Sequence, residues 1–205
     1  MQDLRGILSL LLIQLLGHSQ GVPVVVPTLI KQTCDLLLHL QEKTSSLLST
    51  YLTVMGLPLS EPGFALPDVV LLGLPSPSIG YLAWRRLTDG ERLSETYQAY
   101  SLQLEYLQLV LDDLRALDIG QGPGQLTEQL SFAQAQLHGF VANLRSLLES
   151  LAQPLPTVGK TLDSEAHRPS DFERKLRGYL VCREYVHWID RTVRDFTLLL
   201  DKFPA

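Results

Sequence analysis

Five histidines and two cysteines are the side chains of this 205-residue sequence best suited to hold a metal ion or attack a substrate. Their spacing supports neither. No two of His18, His39, His138, His167 and His187 are four residues apart, and none stands in a His-Glu-x-x-His arrangement. The pair of Glu-x-x-His motifs that two-metal bundles use does not occur either. There is no Gly-rich phosphate loop and no nucleophile elbow. Gly120-Gln121-Gly122-Pro123-Gly124 lacks the Lys-Ser/Thr of a phosphate loop and is better read as a turn between helices. Cys34 and Cys182 both fall on apolar stripes, where a free thiol behaves as a small hydrophobe. On antiparallel helices Cys34 would stand about 9 Å and Cys182 about 30 Å above the same bundle end. A disulfide needs Cα atoms within about 7 Å, so the two are predicted not to pair. The expectation is a protein with no enzymatic activity, metal site or cofactor.

What remains is recognition, and the stretch 170–203 carries most of it. Ser170 with Glu173 makes a capping box, and Asp171 adds negative charge to the first turn, where the helix dipole favours it. Leu176, Tyr179, Cys182, Val186, Ile189, Val193, Phe196, Leu200 and Phe203 recur at steps of three and four, one face of a helix. That helix would be roughly 50 Å long. Arg174, Arg183, Asp190, Arg191, Arg194 and Asp195 are expected on the opposite, solvated face.

A helix of this length needs partners, and the sequence supplies three. The first is predicted over 28–55, with Ile30, Cys34, Leu37, Leu40, Leu47, Tyr51 and Val54 as its stripe and Gly56 as its stop. The second spans 88–118, capped by Thr88 or Asp89, with Leu93, Tyr97, Tyr100, Leu104, Leu107, Leu111 and Leu114 inward. The third spans 125–153, with Leu126, Leu130, Ala133, Leu137, Val141, Leu144, Leu148 and Leu151 on one side. Between the first two, residues 57–78 hold prolines at 58, 62, 67, 75 and 77, which forbid a long helix. The same stretch is rich in Leu, Val and Phe, so it is expected to lie ordered against the bundle, with a short helical piece near 79–87. The connection at 155–169 is also long.

Loop length decides topology. The short 120–124 break joins antiparallel neighbours, whereas each long connection can run the length of a bundle. The predicted fold is therefore all-α: a long-chain four-helix bundle, up-up-down-down, with two overhand connections.

A net charge of −5 without long charge runs argues against nucleic acid as a partner. The stretch 6–16 is apolar, follows Arg5 and exits through His18-Ser19-Gln20-Gly21. It is too short to cross a bilayer of about 30 Å. We expect residues 1–21 to be a signal peptide cleaved after Gly21, or after Ser19 as second choice, and 22–205 to be the helical domain. No other stretch is apolar enough for membrane insertion. The expected product is secreted and extracellular, with no N-glycosylation sequon.

Several motifs resemble one family. Thr50-Tyr51-Leu52, Gly56, Pro58, Glu61-Pro62-Gly63-Phe64, Pro67 and Leu74-Pro75 are similar to the first overhand loop of the neuropoietin and cardiotrophin-like branch of the interleukin-6 cytokines. Trp84, Leu87, Arg92-Leu93 and Tyr97-Gln98-Ala99-Tyr100-Ser101 continue the likeness, and Phe172-Glu173-Arg174-Lys175 through Asp190-Arg191-x-Val193-Arg194-Asp195 is its strongest block. The resemblance covers nearly the whole mature chain and is weakest in the third helix. It implies a monomeric cytokine that joins ciliary neurotrophic factor receptor alpha, glycoprotein 130 and the leukaemia inhibitory factor receptor. Kinase and STAT signalling for neuronal survival or differentiation would follow. It implies an alpha-receptor surface at Trp84, Arg191 and Asp195, and a leukaemia-inhibitory-factor-receptor contact at Phe172 and Lys175. No motif marks the glycoprotein 130 surface.

Plainer roles stay open for each residue. Phe172 could be the first core residue and Lys175 a solvated charge. Arg191 and Asp195 could be a surface ion pair worth under about 1 kcal/mol. Trp84 could cover the bundle end. At the level of function, the rivals are a secreted lipid carrier of the apolipoprotein kind and a structural bundle subunit. The ordered Pro-rich loop and the aromatics on polar faces fit the lipid carrier poorly.

Overall fold

The computed structural model describes residues 26–66, 69–70, 73–119, 124–158 and 169–204. The leader expected over 1–21 lies outside the described residues, as do 120–123 of the expected turn and 159–168 of the second long connection.

Among the described residues there are six helices: α1 (Val26–Thr44), α2 (Leu47–Met55), α3 (Tyr81–Arg86), α4 (Asp89–Ala116), α5 (Gly124–Ser150) and α6 (Asp171–Lys202). The helix expected over 28–55 is thus two helices. Three hydroxyl residues in a row cause the break. Thr44 Oγ1 donates to the Leu40 carbonyl at 2.7 Å, Ser45 Oγ donates to the Glu42 carbonyl at 2.9 Å, and Ser46 Oγ accepts from Gln129 Nε2 at 2.9 Å. Hydroxyls that take backbone carbonyls compete with the helical ladder.

The starts of α4 and α6 are fixed by capping boxes. Glu91 N donates to Thr88 Oγ1 at 3.2 Å while Thr88 N donates to the Glu91 carboxylate at 2.7 Å. Ser170 and Glu173 repeat the arrangement at 3.2 and 2.7 Å. Each box satisfies donors that the helix itself cannot.

Cross-links between helices set their directions. Tyr51 OH donates to the Lys175 carbonyl at 2.9 Å, and Gln41 Nε2 to Asp190 at 3.0 Å, so α1–α2 runs antiparallel to α6. Gln129 meets Ser46 at 2.9 Å while Phe132 packs on His39 at 5.7 Å, and Gln134 meets Gln108 at 3.0 Å while Phe140 packs on Tyr100 at 5.0 Å, so α5 is antiparallel to α1–α2 and to α4. Arg92 meets Asp195, and Arg177 meets Asp113, which makes α4 antiparallel to α6. Two parallel rods followed by two antiparallel to them are the up-up-down-down bundle.

The 56–80 connection climbs α6 from its N-terminal toward its C-terminal end. Phe64 packs edge-on against Tyr179, with ring centres 5.3 Å apart. Arg183 donates to the Leu66 and Val69 carbonyls at 2.6 and 2.8 Å. Trp188 Nε1 donates to Pro75 O at 2.8 Å. Leu59 is fully buried, and Phe64, Leu66 and Leu74 pack on the core. The loop is ordered because α6 presents donors to carbonyls that prolines leave without helical partners.

The solvated face expected for α6 is largely absent. Arg174, Arg183, Arg191 and Asp195 are buried; Asp190 and Arg194 are exposed. The reason is that α4, α2 and the overhand loop cover α6 from several sides. Cys34 and Cys182 are buried and free. Among the described residues no helix is long and apolar enough to cross a membrane, and no three His, Cys, Asp or Glu side chains group to hold a metal ion.

Candidate functional site

Asp195 is the hub of a buried polar cluster at one end of the bundle. Its Oδ1 accepts from Trp84 Nε1 at 2.7 Å and from Arg92 Nη1 at 2.7 Å. Arg92 also donates to the Trp84 carbonyl and lies 4.9 Å over the Trp84 ring. One arginine thus grips the tryptophan by backbone, ring and shared carboxylate. On the other side, Arg191 pairs with Glu95, stacks 4.7 Å over Trp188 and keeps its Nε 3.8 Å from Asp195 Oδ2. The Arg92, Arg191 and Asp195 side chains are only 3%, 3% and 2% exposed. Two arginines face two carboxylates, so the cluster is neutral within itself.

The chemistry of this cluster is positioning. Helix α3 buries none of its own residues. A six-residue helix without a buried face is not stable alone. It stays in place because Trp84 and its carbonyl are held from α4 and α6. Charged groups hold it with bonds about twice as strong as neutral ones. Trp84 itself is half-buried, while Tyr81 and Leu82 are each 69% exposed.

The structure therefore brings Trp84 and Asp195 into contact across 111 residues of sequence. It corrects the expected setting of Arg191 and Asp195: they are a buried pair, not neighbours on a solvated face. They are inward because a carboxylate and an arginine from α4, Glu95 and Arg92, neutralise them there.

A second cluster lies at the opposite end of the bundle. Phe172 is 50% exposed on the first turn of α6 and is not a core residue. Lys175 Nζ donates to the Met55 carbonyl at 3.1 Å, at the end of α2. Its cation sits where a helix C-terminus is partly negative. Leu57, two residues past that carbonyl, is also strongly exposed. Close approach here depends on Gly178, since a Cβ there would stand 2.1 Å from Tyr51 Oη. Nearby, Arg177 clasps Asp113 with two bonds of 2.9 Å, and Arg174 Nε stands 3.6 Å from the same carboxylate.

Glu184 and His187 have a single Glu-x-x-His spacing, yet the Glu184 carboxylate is taken by Arg183 at 2.6 Å. Nothing in either cluster resembles a nucleophile with its base.

Comparison with known proteins gives this architecture a family. The family model described as plethodontid receptivity factor matches residues 27–205. Mouse cardiotrophin-2 is 40% identical over 199 residues, covering 97% of this chain and 95% of its own. Chimpanzee cardiotrophin-2 is 42% identical over 176 residues, 86% of each chain. The chain belongs to the plethodontid receptivity factor and cardiotrophin-2 family. Mouse cardiotrophin-1 is more distant, 28% identical over 179 residues, 83% of this chain and 85% of its own. Membership makes the protein a helical cytokine of the interleukin-6-related group, an extracellular signalling ligand that works through receptors and not an enzyme. It also leaves the lipid-carrier alternative without a basis.

Sequence reasoning about this cytokine missed Arg92, Glu95, Asp113 and Trp188 as partners. One signal was present. Arg92, Thr96, Ala99, Gln103, Tyr106, Val110 and Asp113 are all buried and follow one another at steps of four and three. This is a second inward stripe on α4, disguised by its polar ends.

Proposed function

We propose that this cytokine assembles a complex of ciliary neurotrophic factor receptor alpha, glycoprotein 130 and the leukaemia inhibitory factor receptor. Kinases carried by the latter two would then be brought together inside the cell. The alpha receptor is taken by Trp84, held by Asp195 and Arg92, with Arg191 on the far side of Asp195. The leukaemia inhibitory factor receptor is taken by Phe172 and Lys175. Glycoprotein 130 is taken by the exposed faces of α1–α2 and α5, and a signal peptide over 1–21 delivers the chain outside the cell. The observation that carries this reading is the hydrogen bond from Trp84 Nε1 to Asp195 Oδ1, which joins the α3 aromatic to the late α6 motif. An exposed Phe172 beside a lysine anchored to Met55 supports the second site in the same way. The sites stand at opposite ends of the bundle, so two receptors can engage one ligand at once, and joint engagement adds avidity.

In this arrangement Asp195 and Arg92 act by positioning Trp84, which makes the contact. The test uses cells expressing defined receptor combinations, together with binding to isolated receptor ectodomains. Trp84→Ala is expected to cost over about 1 kcal/mol of alpha-receptor affinity with the four-helix bundle intact. Phe172→Ala combined with Lys175→Ala is expected to abolish signalling and keep alpha-receptor binding. Normal signalling by the double variant, or wild-type alpha-receptor affinity of the Trp84 variant, would overturn the respective assignment.

A further inference from the structure

Adjacent basic residues occur twice in the sequence, at Arg85-Arg86 and at Arg174-Lys175, and the fold treats the two pairs oppositely. Arg174 is buried beside Asp113 and Asp171, and the Lys175 ammonium is held by the Met55 carbonyl, both within the 32-residue α6. Arg85 and Arg86 are exposed, and among the described residues neither side chain has an ion pair or hydrogen bond. They end α3, which buries none of its residues. Other exposed cations, such as Lys31 and Arg145, stand inside α1 and α5, whose inward stripes are buried along their length.

The backbone around the exposed pair is weakly held. Leu87, the next residue, has already left the helix, with φ −58° and ψ 134°. Its N–H is closed by a 3.3 Å bond to the Trp84 carbonyl. At the other end of α3, a Cβ on Gly80 would have nothing within 4 Å, so no neighbour packs there. A protease takes its substrate extended, so cutting a folded chain requires a segment that can leave its place at low cost. α3 is such a segment. Tyr81, Leu82, Ala83, Arg85 and Arg86 already lie in water, and Trp84 alone fastens the helix, through Asp195 and Arg92. When Trp84 lets go, no core side chain is uncovered with it.

We propose that the Arg86–Leu87 bond is a processing site for an endoprotease that reads paired basic residues, with Trp84 as the latch that sets its accessibility. Recognition comes from the free guanidinium groups, which suit the carboxylate-bearing primary pocket of proteases with basic specificity. Hydrolysis adds one water across the bond, leaving a carboxylate on Arg86 and an ammonium on Leu87, with no further reactant. The product is one protein of two chains. The piece ending at Arg86 keeps α1 and α2 packed on α5 and α6, and the piece beginning at Leu87 keeps the Thr88 capping box and α4 to α6. The cut unties α3 from α4 and leaves Trp84 near a free end. An extracellular ligand is altered in this way without being unfolded. The inference does not depend on which receptors the protein binds.

The test incubates the folded protein with a calcium-dependent, subtilisin-like protease of paired-basic specificity and reads the products by mass spectrometry. The expected result is a cut that creates a new N-terminus at Leu87, with none at Arg174-Lys175. Arg85→Gln with Arg86→Gln should abolish the cut and keep wild-type circular dichroism, since neither side chain has a partner to lose. Trp84→Phe removes the indole bond to Asp195, so it should be cut faster than wild type with the bundle intact, because cleavage follows the population of the open form. The nicked protein should run as one species in gel filtration and part only in denaturant. The proposal is overturned if Arg86–Leu87 stays intact while the same protease cleaves an unfolded paired-basic reference peptide. A first cut after Lys175, or an undiminished cut in the double variant, overturns it equally. A Trp84→Phe rate no higher than wild type overturns the latch, and pieces that part in native buffer overturn the two-chain product.

Discussion

Asp195→Ala separates a buried hub from a surface ion pair by a wide margin. In the wild-type protein the Asp195 carboxylate accepts from Arg92 and from the Trp84 indole, both at 2.7 Å, with under a twentieth of either charged side chain exposed. Removing it strands the buried Arg92 guanidinium without its carboxylate and leaves the Trp84 indole N–H without its acceptor. Breaking a buried pair from one side costs about 3–5 kcal/mol, against under about 1 kcal/mol for an exposed pair. For a domain of this size about 1 kcal/mol corresponds to about 2–4 °C in Tm, so the loss should be about 6–20 °C. Thermal unfolding followed by circular dichroism measures it. In a Trp188→Phe background, fluorescence should also report a red shift as Trp84 loses its anchor. Adding Arg92→Ala removes the stranded charge, so the double variant should be less destabilised than the sum of the two singles. A Tm drop under about 3 °C with unchanged Trp84 emission would refute the buried hub. Any receptor-binding loss in Asp195 variants should therefore be interpreted alongside stability.

Gly178→Ala should destabilise by about 1–3 kcal/mol, because its Cβ would meet the Tyr51 ring and hydroxyl; an unchanged urea midpoint would contradict that packing. Cys34 and Cys182 should resist alkylation in the native state at pH 8 and react fully in denaturant, since burial raises both thiols above their usual value; an intact Cys34–Cys182 bridge by mass spectrometry would overturn the helix register. Alkaline pH should weaken the fold. Burial raises Cys182, Tyr51, Tyr100 and Tyr185, so the fold holds their neutral forms. That stability is complete below the ordinary values of about 8.5 for cysteine and about 10 for tyrosine, and is lost as pH rises past them. Phenolate absorbance should therefore rise together with unfolding; full titration near pH 10 with the helix intact would show that burial does not restrain these phenols.

The sequence by itself determined the elements and their order. Capping boxes at Thr88 and Ser170, Gly56 after the first rod and the apolar stripes are all local signals, and local signals need no partner to be legible. The two long connections and one short turn determined the topology for the same reason, since reach along the chain is a property of the chain. Only the tertiary structure decided which charges are inside. Arg174, Arg177, Val181, Tyr185, Trp188, Thr192, Asp195 and Leu199 are buried at steps of three and four, a second stripe on α6 as regular as the apolar one. Read alone, its arginines and aspartate belong to water, because an unpaired charge cannot be buried. What makes them core residues is Asp113, Arg92 and Glu95 on α4, brought opposite by antiparallel packing. The break at Thr44–Ser46 likewise depended on which carbonyls the hydroxyls took. A charge's surroundings come from other helices, and so the site at Trp84 became visible only when residues 84, 92, 95, 191 and 195 met.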